Sequence, residues 1–189
     1  MPNIDTKSAL LSEAEALIRT MGYAAFSYAD LSERVGIRKA SIHHHFPTKE
    51  ALGTALIDSY LKRFVAELDE LAAQPTDTKS KLLAYGDLFA DSLRDGQMPL
   101  CGALAADAAY LPVSMQWRVK KFFEIHLAWL DKIVRQGIAK REIKTATPPQ
   151  RLALLLLSTL QGASVVAWAS KDPTVIKPVF RQVVDGLVE

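Results

Sequence analysis

The stretch "FSYADLSERVGIRKASIHHHFPTKEAL", Phe26 to Leu52, decides how this chain is read. Ser27 and Asp30 stand three residues apart, the spacing of a capping box. In that arrangement the serine hydroxyl serves a first-turn amide and the carboxylate reaches back to the serine amide. The spacing predicts a short helix from about Tyr28 to Val35. Gly36 ends it, because glycine takes a positive φ at little cost and lets the chain turn sharply. Only Gly36 to Arg38 separate it from a second short helix, about Lys39 to Phe46. Pro47 closes that one, and Thr48 is a good N-cap for a long helix running to about Ala73. Two short helices joined by a tight glycine turn describe a helix-turn-helix.

Such a unit lays its second helix in the major groove of DNA, with side chains near that helix's N-terminus touching base edges. Here those side chains are Arg38, Lys39, Ala40 and Ser41. Arg38 or Lys39 can donate to guanine O6 and N7, Ser41 can reach a base or a phosphate, and Ala40 lets the helix approach closely. Ser27 and Tyr28, at the start of the preceding helix, are candidate phosphate contacts. Lys49 is expected near the DNA backbone, beside the positive end of the long helix. The first 50 residues hold six Lys/Arg against six Asp/Glu, and the net charge is +2. A DNA-binding surface must therefore be a local patch and not a global charge.

His43, His44 and His45 are three of only four histidines. Successive helix positions fan about 100° apart, so three in a row cannot converge on one ion. No Cys, Asp or Glu lies three or four residues away to complete a chelate, and a lone base has no partner to orient it. The three are expected to divide, His43 and His44 facing outward toward DNA and the third packing inward beside Phe46. Neither a metal nor a cofactor is expected.

Helical periodicity recurs along the rest of the chain, and strand-type alternation is nearly absent. A first helix is expected from about Asp5 to Met21, and "AQPTDTKS" reads as a linker where a second region begins. Further helices are expected at about Lys79–Asp95, Pro99–Tyr110, Val113–Lys140, Pro148–Ser170 and Pro173–Leu187, with Thr147 and Asp172 as caps of the last two. "LALLLLSTLQGASVVAWA", from Leu152, is apolar round most of its circumference. It reads as a buried or interface helix and not a membrane span, since it carries Ser158, Thr159, Gln161, Gly162 and Ser164 and has no companion elsewhere. One cysteine, Cys101, excludes an internal disulfide framework and fits a reducing cytoplasm. The N-terminus shows no secretion signal.

The segment from Phe26 to Leu52 closely resembles the N-terminal DNA-binding segment of the TetR/AcrR family of bacterial transcriptional repressors. That segment ends its recognition helix with an aromatic-x-His-Phe run, followed closely by lysine and a long linking helix. His45, Phe46 and Lys49 match this run, and His43 stands where many members carry tyrosine. The resemblance covers about residues 8 to 55. The pattern along the chain counts about nine helices, and the resemblance implies an all-α fold with a three-helix DNA-binding domain at residues 1–52 and a fourth helix linking it, to about residue 73, with the remainder. Residues 53–189 would then form a ligand-binding and dimerisation domain.

The resemblance further implies a homodimer on a palindromic operator with half-sites about one helical turn, ~34–36 Å, apart. The last two helices, about 148–170 and 173–187, are apolar enough to form a four-helix interface. Members of the family usually respond to a small molecule in the C-terminal core. Phe89, Leu93, Leu104, Tyr110, Trp117, Phe122, Phe123 and Trp129 are candidate pocket side chains. Cys101 stands in the first turn of a helix opened by Pro99, where the positive helix end would lower its pKa. The segment loosely resembles a branch of the family that senses oxidants and electrophiles through a cysteine. Two other classes compete: a small helical enzyme, which no nucleophile–base or phosphate-loop constellation supports, His126 standing alone among apolar neighbours; and a helical protein-interaction module.

Overall fold

Nine α-helices and two single-turn 3-10 helices account for the fold among the described residues, 5–188, of the computed structural model, with no strand. Helix α1 spans Thr6–Met21, α2 Tyr28–Val35, α3 Lys39–His45 and α4 Lys49–Ala73. Helix α5 spans Thr78–Arg94, α6 Leu100–Ala106, α7 Val113–Ala139, α8 Pro149–Ser170 and α9 Ile176–Val188.

Local chemistry sets most of these boundaries. Asp5 caps α1 through the Lys7 amide, Asp77 caps α5 through the Ser80 amide and Thr48 caps α4 through the Ala51 amide. The helix expected from Pro99 to Tyr110 is interrupted at Asp107, where α6 gives way to a 3-10 turn over Ala108–Tyr110. Asp107 sends its carboxylate across to the Tyr23 and Ala24 amides, at 2.7 and 3.3 Å. Thr147 does not cap α8. Pro148 occupies that position without a side-chain bond, and the Thr147 amide donates to Thr145 Oγ1 at 3.0 Å. Asp172 caps the 3-10 turn Pro173–Val175, accepting from the Thr174 amide, and α9 starts three residues later than expected.

Two apolar cores follow from the helical stripes. The first gathers Leu10, Leu17 and Ile18 of α1, Leu31 of α2, Ile42 of α3 and Leu52, Leu56 and Ile57 of α4. Leu100 and Leu104 of α6 and Met115 of α7 close it, so this core is shared with the C-terminal part of the chain. The second joins Phe64 and Leu68 of α4 to the inner faces of α5, α7, α8 and α9. Helix α4 thus carries one core at each end. Trp129 of α7 ties itself to α4 by donating its indole N–H to the Leu68 carbonyl at 2.9 Å, within the core.

Helix α8 is long and apolar enough to cross a membrane by length and composition alone. In the fold it packs between α7, α5 and α9. It buries Leu152, Ala153, Leu156, Leu157, Leu160, Ala163, Ser164 and Ala167. The buried Ser164 hydroxyl donates to the Leu160 carbonyl at 2.7 Å, so it enters the core already satisfied. The opposite side of α8 leaves Leu154, Leu155, Val165, Val166 and Trp168 exposed, and Val179 of α9 is exposed as well.

Candidate nucleic-acid interface

The capping box forms as its spacing requires. Ser27 Oγ accepts from the Ala29 amide at 3.2 Å and donates to Asp30 Oδ2 at 2.7 Å, and the Ser27 amide donates to the same oxygen at 2.7 Å. These bonds hold the Asp30 carboxyl below its usual pKa. Gly36 ends α2 with φ 72° and ψ 29°, the left-handed region where a side chain would be strained. Ser32 fastens the turn twice. Its carbonyl accepts from the Gly36 and Ile37 amides at 3.0 and 3.2 Å, and its hydroxyl donates to the Ile37 carbonyl at 2.5 Å.

Helix α3 is held by one side only. Ile42 is fully buried and Phe46, just beyond the helix, nearly so, both against α1, α2 and α4. Truncating Ile42 to alanine would cost about 2–5 kcal/mol and loosen the helix from its seat. The outer side presents Arg38, Lys39, Ala40, Ser41, His43 and His44, all exposed. Neither Arg38 nor Lys39 makes an ion pair among the described residues, whereas neighbouring Arg34 lies 3.5 Å from Glu13. Ala40, Ser41, His44 and His45 line an open groove together with Thr6 of α1 and Ile37 of the turn. Sequence reading missed Thr6 and Ile37, because only tertiary folding brings the start of α1 beside α3.

The histidines divide. His43 and His44 are exposed and His45 is half-buried beside Phe46. His43 leans its ring on Tyr28, 4.9 Å between centroids, with Nδ1 3.2 Å from the Pro47 carbonyl oxygen. Among the described residues no three His, Cys, Asp or Glu side chains gather where they could hold a metal.

Three expected phosphate contacts point elsewhere. Tyr28 donates its only hydroxyl proton to the Phe46 carbonyl at 2.9 Å, fixing α2 to the end of α3, and burial pushes its pKa up to about 12. The Ser27 hydroxyl proton is held by Asp30. Lys49 turns inward: its ammonium donates to the Phe26 carbonyl at 2.6 Å and lies 4.5 and 4.4 Å from the centres of the Tyr23 and Phe26 rings. Desolvation there lowers its pKa. In this structure all three side chains are engaged with the protein itself and brace α2 and α3 against their neighbours.

The expected regulatory side chains are also rearranged. Cys101 does lie in the first turn of α6, yet it is 1 % exposed and packed in the second core. Burial pushes its thiol well above the ordinary range, outweighing the helix end that would have lowered it. Tyr110 and Trp117 do not line a pocket: they are 78 % and 63 % exposed. Tyr110 lies in the 3-10 turn after α6 and Trp117 in the first turns of α7. A small, partly open cavity of about 20 Å³ does lie among α4, α5, α7 and α8, next to Pro99, with Tyr60, Phe64, Phe89, Phe122, His126 and Gln161 in its wall.

Helix α6 is tied at one end to the loop after α1 and at the other to α1 itself. Beyond the Asp107 bonds, Arg19 Nε donates to the Met98 carbonyl at 2.8 Å, and the Met98 amide donates to the Arg19 carbonyl at 3.1 Å.

Comparison with known proteins agrees with this geometry. Residues 10–56 match the family model described as bacterial regulatory proteins, tetR family. The HTH-type transcriptional regulator EthR of Mycolicibacterium smegmatis is 30% identical over 177 residues, covering 90% of this chain and 78% of that protein. A TetR-family transcriptional regulator from Agrobacterium tumefaciens superposes with a TM-score of 0.93 at 31% identity, over 97% of this chain and 98% of the other. A TetR transcriptional regulator from Legionella pneumophila gives 0.89 at 31% identity, over 99% and 100%. With the helix-turn-helix at its head and the helical body behind it, the chain belongs to the tetR family of bacterial regulatory proteins, which are DNA-binding transcription regulators and not enzymes.

Proposed function

We propose that this protein is a homodimeric repressor that reads a palindromic operator through α3 and leaves it when a small molecule enters the C-terminal core. One observation carries the reading. The N-terminal half of α3 offers Arg38, Lys39, Ala40 and Ser41 with no ion-pair or hydrogen-bond partner for their side chains among the described residues, on a helix whose other side is buried. Arg38 and Lys39 are the base-reading or phosphate-anchoring cations, Ser41 and His44 supply further polar contacts, and Ala40 permits close approach. Residues 1–52 form the reading unit, and residues 53–189 the regulatory and pairing unit, with α4 joining them.

Pairing uses the exposed apolar stripe of α8 with α9. Leu154 and Leu155 stand eight and seven residues before Gly162, and Val165 and Val166 three and four after it, too much apolar surface for a helix facing water. Release runs through α6: a guest that shifts its start pulls on Met98 and Asp107, and hence on α1 and the α1–α2 loop. The guest acts by binding one conformation better than the other.

The test is fluorescence anisotropy on duplexes tiled across the DNA flanking the protein's own gene, against random duplex at the same salt. A fragment bound about 10³-fold tighter than random duplex supports a specific regulator. Uniform binding that fades steeply with salt would sink the operator reading and leave a basic surface alone.

A further inference from the structure

The cavity beside Pro99 has an unusual polar feature. His126 is 1 % exposed, and its Nε2 has no hydrogen-bond partner among the described residues. Gln161 Nε2, on the same wall, is likewise buried and unpartnered. A buried donor left unmade costs about 1–3 kcal/mol, so two facing one cavity call for an explanation. The remaining wall is Tyr60, Phe64, Phe89 and Phe122, with Leu88, Ser92 and Pro99.

Proton accounting fixes what His126 offers. Its Nδ1 is hydrogen-bonded to the hydroxyl of Tyr85, which is fully buried and has no other partner among the described residues. If Nδ1 carried the proton, the Tyr85 hydroxyl proton would have no acceptor. Tyr85 therefore donates to Nδ1, and Nε2 carries the imidazole proton into the cavity. The ring stays neutral, because burial drives its pKa down to about 3. Gln161 adds amide protons. The site thus offers N–H donors inside an aromatic cage, and no ionised side chain lines it. A carboxylate guest would be desolvated there with no cation to pair it.

We propose that this cavity binds a small, neutral, flat aryl ketone or aldehyde, its ring between Phe64, Phe89 and Phe122 and its carbonyl oxygen accepting from His126 Nε2 and Gln161. We assign this molecule as the effector, which rests on the ligand-released repressor reading above. At about 20 Å³ the cavity admits one water-sized group, so an aryl guest enters only by spreading the walls. Pro99 is the wall residue at the start of α6, and its neighbour Met98 is bonded to Arg19 of α1. Swelling is therefore transmitted to the reading head.

The experiment is calorimetric titration of the full-length protein with acetophenone, 4-methylacetophenone and benzaldehyde, against cumene and benzoate. A ketone or aldehyde is expected to bind about tenfold or more tighter than cumene, with benzoate weakest. His126→Phe should erase the preference of ketone over cumene. Gln161→Leu should narrow it if the first variant folds poorly. Nitrogen-15 spectra of the wild type should place the His126 proton on Nε2. Absence of binding across the carbonyl panel, equal binding of cumene, tighter binding of benzoate, or a proton on Nδ1 would each overturn the site. Operator anisotropy with and without the bound ketone separates the two readings. Selective DNA binding with no ketone binding removes this site alone. Ketone binding to a protein that selects no duplex, or that keeps its duplex unchanged, leaves the site and removes its role as effector pocket.

Discussion

The Asp107 carboxylate accepts from the Tyr23 amide at 2.7 Å, joining the end of α6 to the loop between α1 and α2 across 84 residues of sequence. The same carboxylate also accepts from Ala24, so two backbone donors that no helix could satisfy depend on one side chain. Asp107→Ala should cost about 1–2 kcal/mol, the lower part of the range for a part-buried donor left unmade. That corresponds to a loss of roughly 2–8 °C in Tm for a chain of this size. Asp107→Asn, which keeps an acceptor oxygen, should lose less. If α6 carries the effector signal, Asp107→Ala should also shrink the ligand-dependent change in operator affinity while leaving ligand affinity near wild type. Thermal unfolding and paired titrations check both.

The side chains of α3 should separate into those that choose sequence and those that only hold. Arg38→Ala is expected to weaken operator binding by about 1–3 kcal/mol if it reads a guanine, with little change on random duplex. Lys39→Ala, if its contact is to phosphate, should weaken both duplexes and reduce the salt slope by about 1. Lys49→Met and Tyr28→Phe should leave the salt slope unchanged, because Lys49 serves the Phe26 carbonyl and Tyr28 the Phe46 carbonyl. Their losses should appear in denaturation midpoints. A drop in salt slope for Lys49→Met would return that residue to the DNA.

Acid should loosen the fold in a defined direction. Asp30 has its pKa lowered by hydrogen bonds from the Ser27 hydroxyl and amide, and Asp77, Glu142 and Asp172 are lowered in the same way by Ser80, Thr78 and Thr174. A carboxylate whose folded pKa is depressed adds stability that is fully present above its unfolded value. That stability is lost as pH falls through the folded value. Urea midpoints should hold steady above the ordinary carboxylate range and fall below it. Asp30→Asn should flatten part of that fall without changing the plateau's pH dependence near neutrality.

The helix starts and stops of the N-terminal segment were legible because their chemistry is local. Ser27 with Asp30, Gly36 and Thr48 act on neighbours a few residues away, and each does so in the structure. Tyr28 and Lys49 turn instead to backbone carbonyls at Phe46 and Phe26, a placement that carries no side-chain signature in the sequence. Cys101 failed for a related reason: its position in a helical turn is local, but its burial is set by packing in a core drawn from several other helices. Tyr110 lies in the 3-10 turn that follows the break at Asp107, and that break's partner is Tyr23, far away in sequence. His126 looked isolated because its hydrogen-bond partner Tyr85 and the ring of Phe64 come from other helices, and only Phe122, four residues earlier on α7, is a local neighbour.

Cys101 should be chemically silent in the native state. It is the chain's one cysteine, so an aromatic disulfide reagent reports on it alone. Burial with a raised pKa leaves little thiolate and no access. Labelling in native buffer should proceed only as fast as the protein opens, and should become rapid once urea unfolds it. Peroxide at concentrations that oxidise exposed thiols should leave operator affinity unchanged. A fast native-state labelling phase would restore the redox-sensor reading that the structure argues against.

The exposed stripe of α8 offers a test of pairing that leaves the subunit's own core alone. A Cβ added at Gly162 would meet nothing within 4 Å in the chain, and Leu155 is 47 % exposed. Gly162→Ala should therefore be harmless or mildly stabilising to an isolated subunit, since it trades helix-interior glycine for a better helix former. Gly162→Leu and Leu155→Lys should leave the helical circular dichroism intact for the same reason of outward position. If α8 is the pairing surface, the leucine at 162 blocks close approach of two helices and the lysine at 155 places a charge in an apolar contact. Both variants should then sediment as monomers where the parent sediments as a dimer. Operator affinity should fall steeply with them, because one recognition helix alone loses the benefit of a second half-site held at a fixed distance. Dimers that persist unchanged in both variants would move the interface off this stripe.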